Sequence, residues 1–171
     1  MTPRLTYLAG AAICWLTAAT APALAANLPA RAPGLWQSTT TVTGADGKPL
    51  PHAQDIITVS CVDPATDIKF FLSNESACTS FAITGAGNTY QISGSCLQTG
   101  RPVNIDETLN YVSPKQVTLT AKLDAPSGPV TVTSQLQWQG DCLPSMAPGE
   151  EGSIVNGTFS KVDNINDPAN Q

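Results

Sequence analysis

Apolar and polar residues alternate along much of the chain with the two-residue period that is typical of half-buried β-strands. The alternation is clearest in three consecutive runs, at residues 103–111, 117–123 and 130–138. In each run one parity carries Val, Ile, Leu or aromatic side chains, and the other carries polar ones. Turn residues, including Pro114 and Gly128, separate the runs. Because each strand then has one dry and one wet face, we predict an antiparallel meander.

Weaker runs of the same kind predict four more strands before the meander and one after it. They lie at residues 35–43, 54–62, 79–84, 89–97 and 153–160. We therefore predict an all-β, mainly antiparallel fold: a curved sheet, a sandwich or a small open barrel.

One short helix is expected near residues 64–72. Asp63 can cap free backbone amides and Pro64 suits the first helical position. Ile68, Phe71 and Leu72 follow with helical spacing, so we expect one or two turns to bury them.

The first 25 residues have the features of a cleavable signal peptide. Arg4 precedes an uncharged stretch, residues 5–19, which is shorter than the roughly 20 apolar residues of a membrane span. An Ala-Leu-Ala tripeptide then ends at Ala25, where we expect cleavage. A lipoprotein signal has a small residue before its cysteine, but Cys14 follows Ile13. We therefore expect Cys14 to leave with the signal peptide. We predict a periplasmic protein, with secretion as the alternative.

The remaining chain is long enough for one domain. We expect a single β-rich domain over residues 26–160 and a flexible polar tail over residues 161–171. The full chain has 8 basic and 13 acidic side chains and a net charge of −5. Its basic residues are scattered singly, which disfavours nucleic-acid binding, and it has no basic amphipathic helix for a membrane surface. We expect a monomer with no stable membrane anchor.

Four cysteines remain after the signal peptide: Cys61, Cys78, Cys96 and Cys142. None has the spacing of a redox or zinc motif, and the chain has 1 histidine, so we expect two structural disulfides and no metal or cofactor.

Four cysteines allow three pairings. Cys78 and Cys96 lie almost symmetrically about a glycine-rich turn at residues 85–88, which favours Cys78–Cys96 and leaves Cys61–Cys142. In that register, however, Phe81 and Ile83 would face away from Tyr90 and Ile92. A β-bulge at the glycine-rich turn would remove the conflict.

No group of residues predicts a catalytic site. His52 lies between Pro51 and Ala53 in a predicted loop, where we expect it to be exposed. Asp106 and Glu107 are adjacent on a strand and so point to opposite faces, and we expect Glu150 and Glu151 to be solvated. The remaining candidates are serines without a nucleophile motif and tryptophans expected to pack in the core: Ser60, Ser80, Ser93, Trp36 and Trp138.

Several short motifs have a familiar order and spacing over residues 30–142. They are Pro33-Gly34-Leu35-Trp36, Val59-Ser60-Cys61, Asp63-Pro64, the Cys78/Cys96 hairpin and Trp138-Gln139-Gly140-Asp141-Cys142. Together they resemble the bacterial exported proteins of the Domain of Unknown Function 3617 family. The resemblance implies export, a β-rich fold and paired cysteines, and it supplies no activity or catalytic residue.

These observations favour a non-enzymatic binding or interaction module for a small apolar ligand or an envelope protein. The large apolar residues at alternate positions of a curved sheet support this hypothesis. The alternatives are a structural or envelope-maintenance protein without a ligand, and an enzyme whose acidic groups converge from distant strands.

Overall fold

The computed structural model describes residues 27–72, 78–98, 101–125 and 128–167. These residues form nine antiparallel strands and one short helix, which confirms the predicted fold class. The strands are β1 (Gly34–Thr43), β2 (Ile56–Val62), β3 (Cys78–Ala86), β4 (Thr89–Gln98), β5 (Arg101–Ser113), β6 (Gln116–Ala125), β7 (Gly128–Gly140), β8 (Glu150–Val155) and β9 (Thr158–Asn164). The helix, α1, spans Lys69–Leu72. The predicted signal peptide lies outside the described residues.

All nine strands belong to one open sheet with the order β3-β4-β5-β6-β7-β1-β2-β8-β9. Strands β5 to β7 are the predicted meander. The β3–β4 hairpin extends it on one side, and β1 pairs with β7 on the other. Five strands separate β2 from β3, so the connection that carries α1 has to cross one face of the sheet. We call this side the helix face and the other side the loop face.

The core lies mainly on the helix face. Its most buried members include Trp36, Ile92, Leu109 and Val117, from four different strands. Phe70 and Phe71 of the α1 segment pack against them, together with Leu28 from the chain before β1. A smaller cluster on the loop face covers Leu35, Val59 and Cys61 with Met146 and Leu143, from the chain between β7 and β8. Both faces of the sheet centre are therefore covered, each by a short irregular segment.

The α1 segment begins with the predicted cap. The Asp63 carboxylate accepts hydrogen bonds from the amides of Ala65 and Thr66, each 2.8 Å long. Turns follow, and the helix proper is limited to its last four residues. Phe71 packs on the core as expected, but Ile68 is 44% exposed, so its predicted burial is wrong. The segment is too short to follow helical periodicity, and Phe70 packs on the sheet instead.

Two disulfides join Cys78 to Cys96 and Cys61 to Cys142. A bulge removes the register conflict that the sequence raised, but it lies at Thr79, beside the disulfide, and not at the glycine-rich turn. Beyond the bulge Ile83 is directly opposite Ile92. In the chain-entropy description, loops with separations of 18 and 81 residues contribute about 3 and 4.5 kcal/mol of stability.

The start of β1 packs closely against the end of β7, and two hydrogen bonds from tryptophan side chains hold the chain there. Trp36 Nε1 donates to the Ala32 carbonyl at 2.8 Å, and Trp138 Nε1 donates to the Pro33 carbonyl at 2.9 Å. Gly34 has a φ of +133°, and a Cβ there would collide with the Gly140 carbonyl oxygen. In the Pro-Gly-Leu-Trp motif, Gly34 thus lets the two backbones approach closely, and Trp36 provides one of the two indole donors beside this approach.

The chain after residue 149 differs from the prediction. One strand was expected at residues 153–160, but β8 and β9 form a hairpin. Asn156 and Gly157, with φ values of 52° and 78°, form its two-residue turn, which has the sequence preferred for this geometry. The last strand continues past residue 160, where we expected the folded domain to end, and Ile165 is 7% exposed. Among the described residues, no helix is long and apolar enough to span a bilayer.

Candidate functional site

A buried arginine lies between the α1 segment and the sheet. Arg31 is 5% exposed, and its Nε donates to Asp67 Oδ1 at 2.7 Å. The backbone amide of Arg31 donates to the other carboxylate oxygen of Asp67 at 2.8 Å. The chain before β1 and the α1 segment are therefore joined by one ion pair, with both carboxylate oxygens engaged.

Three aromatic rings surround the Arg31 guanidinium. Its central carbon lies 4.5 Å from the ring centroid of Phe71, 4.9 Å from that of Trp36 and 5.5 Å from that of Phe70. At these distances the ring faces attract a cation and replace part of its lost hydration. Arginine suits this environment because its planar guanidinium stacks on rings and is weakly hydrated.

Beside this ion pair, a small pocket of about 130 Å³ opens between the α1 segment and the sheet. Its apolar lining comes from the α1 segment and the strands β6 and β7: Phe70, Phe71, Leu119 and Leu136. Its hydroxyl lining comes from β1, β2 and β7: Ser38, Thr58, Ser60 and Ser134. Arg31 and Glu151 complete the lining and contribute one charge of each sign.

Strand register brings the hydroxyl groups together. Ser38 lies opposite Thr58 in β2 and opposite Leu136 in β7. Ser60 lies opposite Trp36, so the helix face of β2 becomes polar next to the most buried part of the core. Thr40 Oγ1 lies 2.8 Å from Ser134 Oγ, which links the hydroxyls of β1 and β7. The pocket thus has hydroxyls that can either donate or accept hydrogen bonds.

Glu151 reaches the pocket from β8, where it lies opposite Ser60. Burial raises the pKa of its carboxyl above the ordinary value, Asp163 raises it further, and Arg31 lowers it. Arg31 and Glu151 are therefore electrostatically coupled, yet within the described parts of the chain the ion pair of Arg31 is with Asp67. Asp67 therefore neutralises Arg31, whereas Glu151 has no ion-pair partner among the described residues.

The neighbouring Glu150 is on a different side of β8 and has a different role. It accepts a hydrogen bond from the Ala147 amide at 2.9 Å and pairs with Lys161 at 3.0 Å. These contacts lower the pKa of Glu150, first through the Ala147 amide and then through Lys161. From the sequence we expected the side chains of Glu150 and Glu151 to be solvated. Instead they begin a strand, and Glu151 is half-buried in the pocket lining.

Tyr111 extends from β5 into the same buried region. Its ring lies edge-on to Tyr90, with the centroids 5.9 Å apart. Among the described residues its buried hydroxyl has no hydrogen-bond partner. Burial raises the pKa of Tyr111, and the nearby Asp67 raises it further, while Arg31 lowers it. Tyr111 therefore remains neutral.

Glu107 is a second half-buried carboxylate on the helix face. It lies between Ile92 of β4 and Ala121 of β6, and burial raises its pKa. As predicted, Asp106 points to the opposite face and is exposed. Glu107 does not join Glu151, because four strands lie between β5 and β8.

A larger and more open pocket, of about 490 Å³, lies at the far end of the sheet. Its charged lining residues, Asp106, Lys122 and Asp124, are all exposed. Because solvent screens exposed charges strongly, this depression offers less binding energy than its volume suggests. We therefore regard the pocket beside Arg31 as the candidate site, although it is smaller.

The other residues considered from the sequence are dispersed. His52 is exposed in the loop between β1 and β2, and Ser80 and Ser93 are on the β3–β4 hairpin. Of the three serines, Ser60 lines the candidate pocket. Trp36 and Trp138 both belong to the helix-face core or pack against it, as predicted. Within the described ranges, no three His, Cys, Asp or Glu side chains are grouped so that they could hold a metal ion.

A protein-family model described as "Protein of unknown function (DUF3617)" matches residues 31–142. The chain belongs to this family. The matched range begins at Arg31 and ends at Cys142, so it contains the Arg31–Asp67 ion pair and both disulfides. It ends before the β8–β9 hairpin that carries Glu151. No significant match was found among curated proteins or among solved structures.

The buried ion pair gives the first testable prediction. Replacing Asp67 with alanine leaves a buried guanidinium without its counter-ion, which typically costs about 3–5 kcal/mol. We expect urea unfolding to show that the free energy of unfolding of D67A is lower than that of the wild type by this amount. The control is Lys48→Ala, which removes an exposed ion pair with a separation of 3.9 Å. Such pairs contribute less than about 1 kcal/mol. Equal losses in the two variants would contradict the conclusion that the buried Arg31–Asp67 ion pair stabilises the fold.

Glu107 gives a prediction about pH. Because its pKa is raised in the folded state, the ionised carboxylate destabilises the fold, and this cost develops as pH rises above the ordinary value of 4.5. We expect Glu107→Gln to be more stable than the wild type at pH 8, with the difference shrinking as the pH falls through the raised pKa.

Glu150→Gln provides a control of opposite sign, because the pKa of Glu150 is lowered. It should be less stable than the wild type at pH 8. Thermal unfolding of the wild type and the two variants across pH 3–8 measures both effects. A stability difference between Glu107→Gln and the wild type that does not vary with pH would contradict a raised pKa of Glu107.

Proposed function

We propose that the protein is a non-enzymatic binding module outside the cytoplasm that holds a small amphipathic molecule in the pocket beside Arg31. The observation that carries the proposal is the combination of apolar walls, hydroxyl groups and a buried guanidinium around one small opening. Small-molecule sites have this composition: mainly apolar surfaces with a few placed polar groups. The sequence suggested an apolar ligand, and the polar groups of the pocket favour an amphipathic one.

Placement outside the cytoplasm rests on two features of the chain. The first is the signal-peptide pattern of residues 1–25. The second is the pair of disulfides, since such bonds persist in oxidising compartments. Among such compartments we propose the periplasm, with secretion as the alternative.

A monomeric state fits the two edges of the sheet. The edge strand β3 carries a bulge at Thr79 and a disulfide beside it. The other edge, β9, alternates exposed charged and apolar residues in Lys161, Val162 and Asp163. Bulges and charges are the features by which natural sheets avoid edge-to-edge pairing.

A binding role is favoured over catalysis by the positions of the carboxylates. Acid–base chemistry on one substrate requires groups that converge on one cleft. Among the described residues, the half-buried carboxylates whose pKa values are raised are Glu107 and Glu151, and they lie on strands separated by four others.

The test is native mass spectrometry of the protein purified from the periplasm. We expect the mature mass with two disulfides and one bound small molecule. Thr58→Trp places an indole at the exposed rim of the pocket, and we expect it to abolish the bound molecule. Because aromatic residues are favoured in strands, the variant should still fold. Gln137→Trp puts the same side chain on the loop face and should retain it. An unliganded mass for wild-type protein, with no uptake from a fragment library, would reject the proposal in favour of a structural envelope role.

A further inference from the structure

We propose that the pocket beside Arg31 binds a zwitterion with an apolar side group, of the class of free aliphatic α-amino acids. This inference rests on the proposed binding function and specifies its ligand. It assigns the ligand carboxylate to Arg31, the ligand ammonium to Glu151 and the apolar group to the walls formed by Phe70, Phe71, Leu119 and Leu136.

The charges of the pocket determine the class. Asp67 engages Nε of Arg31 at 2.7 Å, whereas the contact of Nη2 with the Asp67 carbonyl is long, at 3.5 Å. Arg31 lines the pocket with a side chain that is 1% exposed. Its Nη atoms form no bond to Asp67 shorter than 3.5 Å, so they are the donors that remain for a ligand. Planar guanidinium donors match a carboxylate in geometry and charge.

Glu151 supplies the complementary group. Within the part of the chain that the structure describes, no donor forms a hydrogen bond with its carboxylate, and burial and Asp163 both raise its pKa. A half-buried carboxylate without a donor is costly. A ligand ammonium would offset this cost and would be attracted by the same charge.

Other ligand classes fit less well. A simple anion would be repelled by Glu151, and a simple cation would leave the remaining donors of the Arg31 guanidinium without an acceptor. A purely apolar molecule would remove water from the Glu151 carboxylate without compensating its charge. A molecule with both charges close together can accept from the remaining Arg31 donors and pair with Glu151 while its apolar part contacts the rings.

The size of the pocket restricts the ligand further. A volume of about 130 Å³ is well below the roughly 300 Å³ at which sites for drug-sized molecules begin. Long acyl chains and peptides therefore exceed it, whereas an amino acid with a short aliphatic side chain is of suitable scale. Ser38, Ser60 and Ser134 lie in the same lining and can bond to either end of such a ligand.

The test compares four probes that share one branched alkyl group. These are L-leucine with both charges, isocaproate with the carboxylate alone, isopentylamine with the ammonium alone, and isopentyl alcohol with neither. Binding is measured by amide chemical-shift titration at pH 7, with the wild type and Glu151→Gln. We expect leucine to bind the wild type at least about tenfold more tightly than any other probe. In Glu151→Gln that preference over isocaproate should disappear, while Glu150→Gln should keep it.

Equal or tighter binding of isopentyl alcohol, isopentylamine or isocaproate would overturn the zwitterion assignment and leave the binding function standing. Binding of none of the four probes at the pocket would also overturn it, and the mass-spectrometric test with Thr58→Trp then decides the binding function separately. Retention of the leucine preference in Glu151→Gln, with unchanged thermal stability, would show that Glu151 does not hold the ammonium.

Discussion

The ion pair between Arg31 and Asp67 is the interaction on which the helix face depends. An open sheet cannot bury its own apolar face, and here that face is covered by only four helical residues and a series of turns. So short a segment is not stable as an isolated helix. It is held in place by its Asp63 cap, by Phe70 and Phe71, and by a carboxylate that bonds both the side chain and the backbone of Arg31. The same arrangement forms the wall of the candidate pocket.

The pocket combines the charge of Arg31, on which the fold depends, with that of Glu151, which comes from a different part of the chain. Arg31 is inside the range that matches the family, whereas Glu151 is on the hairpin beyond it. The part of the chain that matches the family therefore supplies the guanidinium, the apolar walls and all four lining hydroxyls, and the hairpin supplies the carboxylate. In this account the hairpin adjusts the chemistry of a pocket that the family part of the chain already forms.

Local patterns predicted the strands of the meander and the hairpin cysteines, because alternation and turn residues act over a few neighbouring positions. The bulge was also foreseen from the parity of Ile83 and Ile92, although its position was not. The β8–β9 hairpin was missed, but its Asn156-Gly157 turn is a recognisable signal. Local patterns could not predict the pocket, because it depends on contacts between distant parts of the chain. In the structure β7 pairs with β1, β2 pairs with β8, and Asp67 lies 36 positions from Arg31.

Amide hydrogen exchange of Asp67→Asn tests the central claim most directly, because this variant removes the charge while keeping the shape of the side chain. The amides of Thr66 and Phe71 bond to carbonyls within the α1 segment, whereas that of Leu119 lies in the sheet centre. If the ion pair holds the segment on the sheet, exchange at Thr66 and Phe71 will accelerate at least about tenfold more than exchange at Leu119. Equal acceleration at all three sites, or none, would contradict the account.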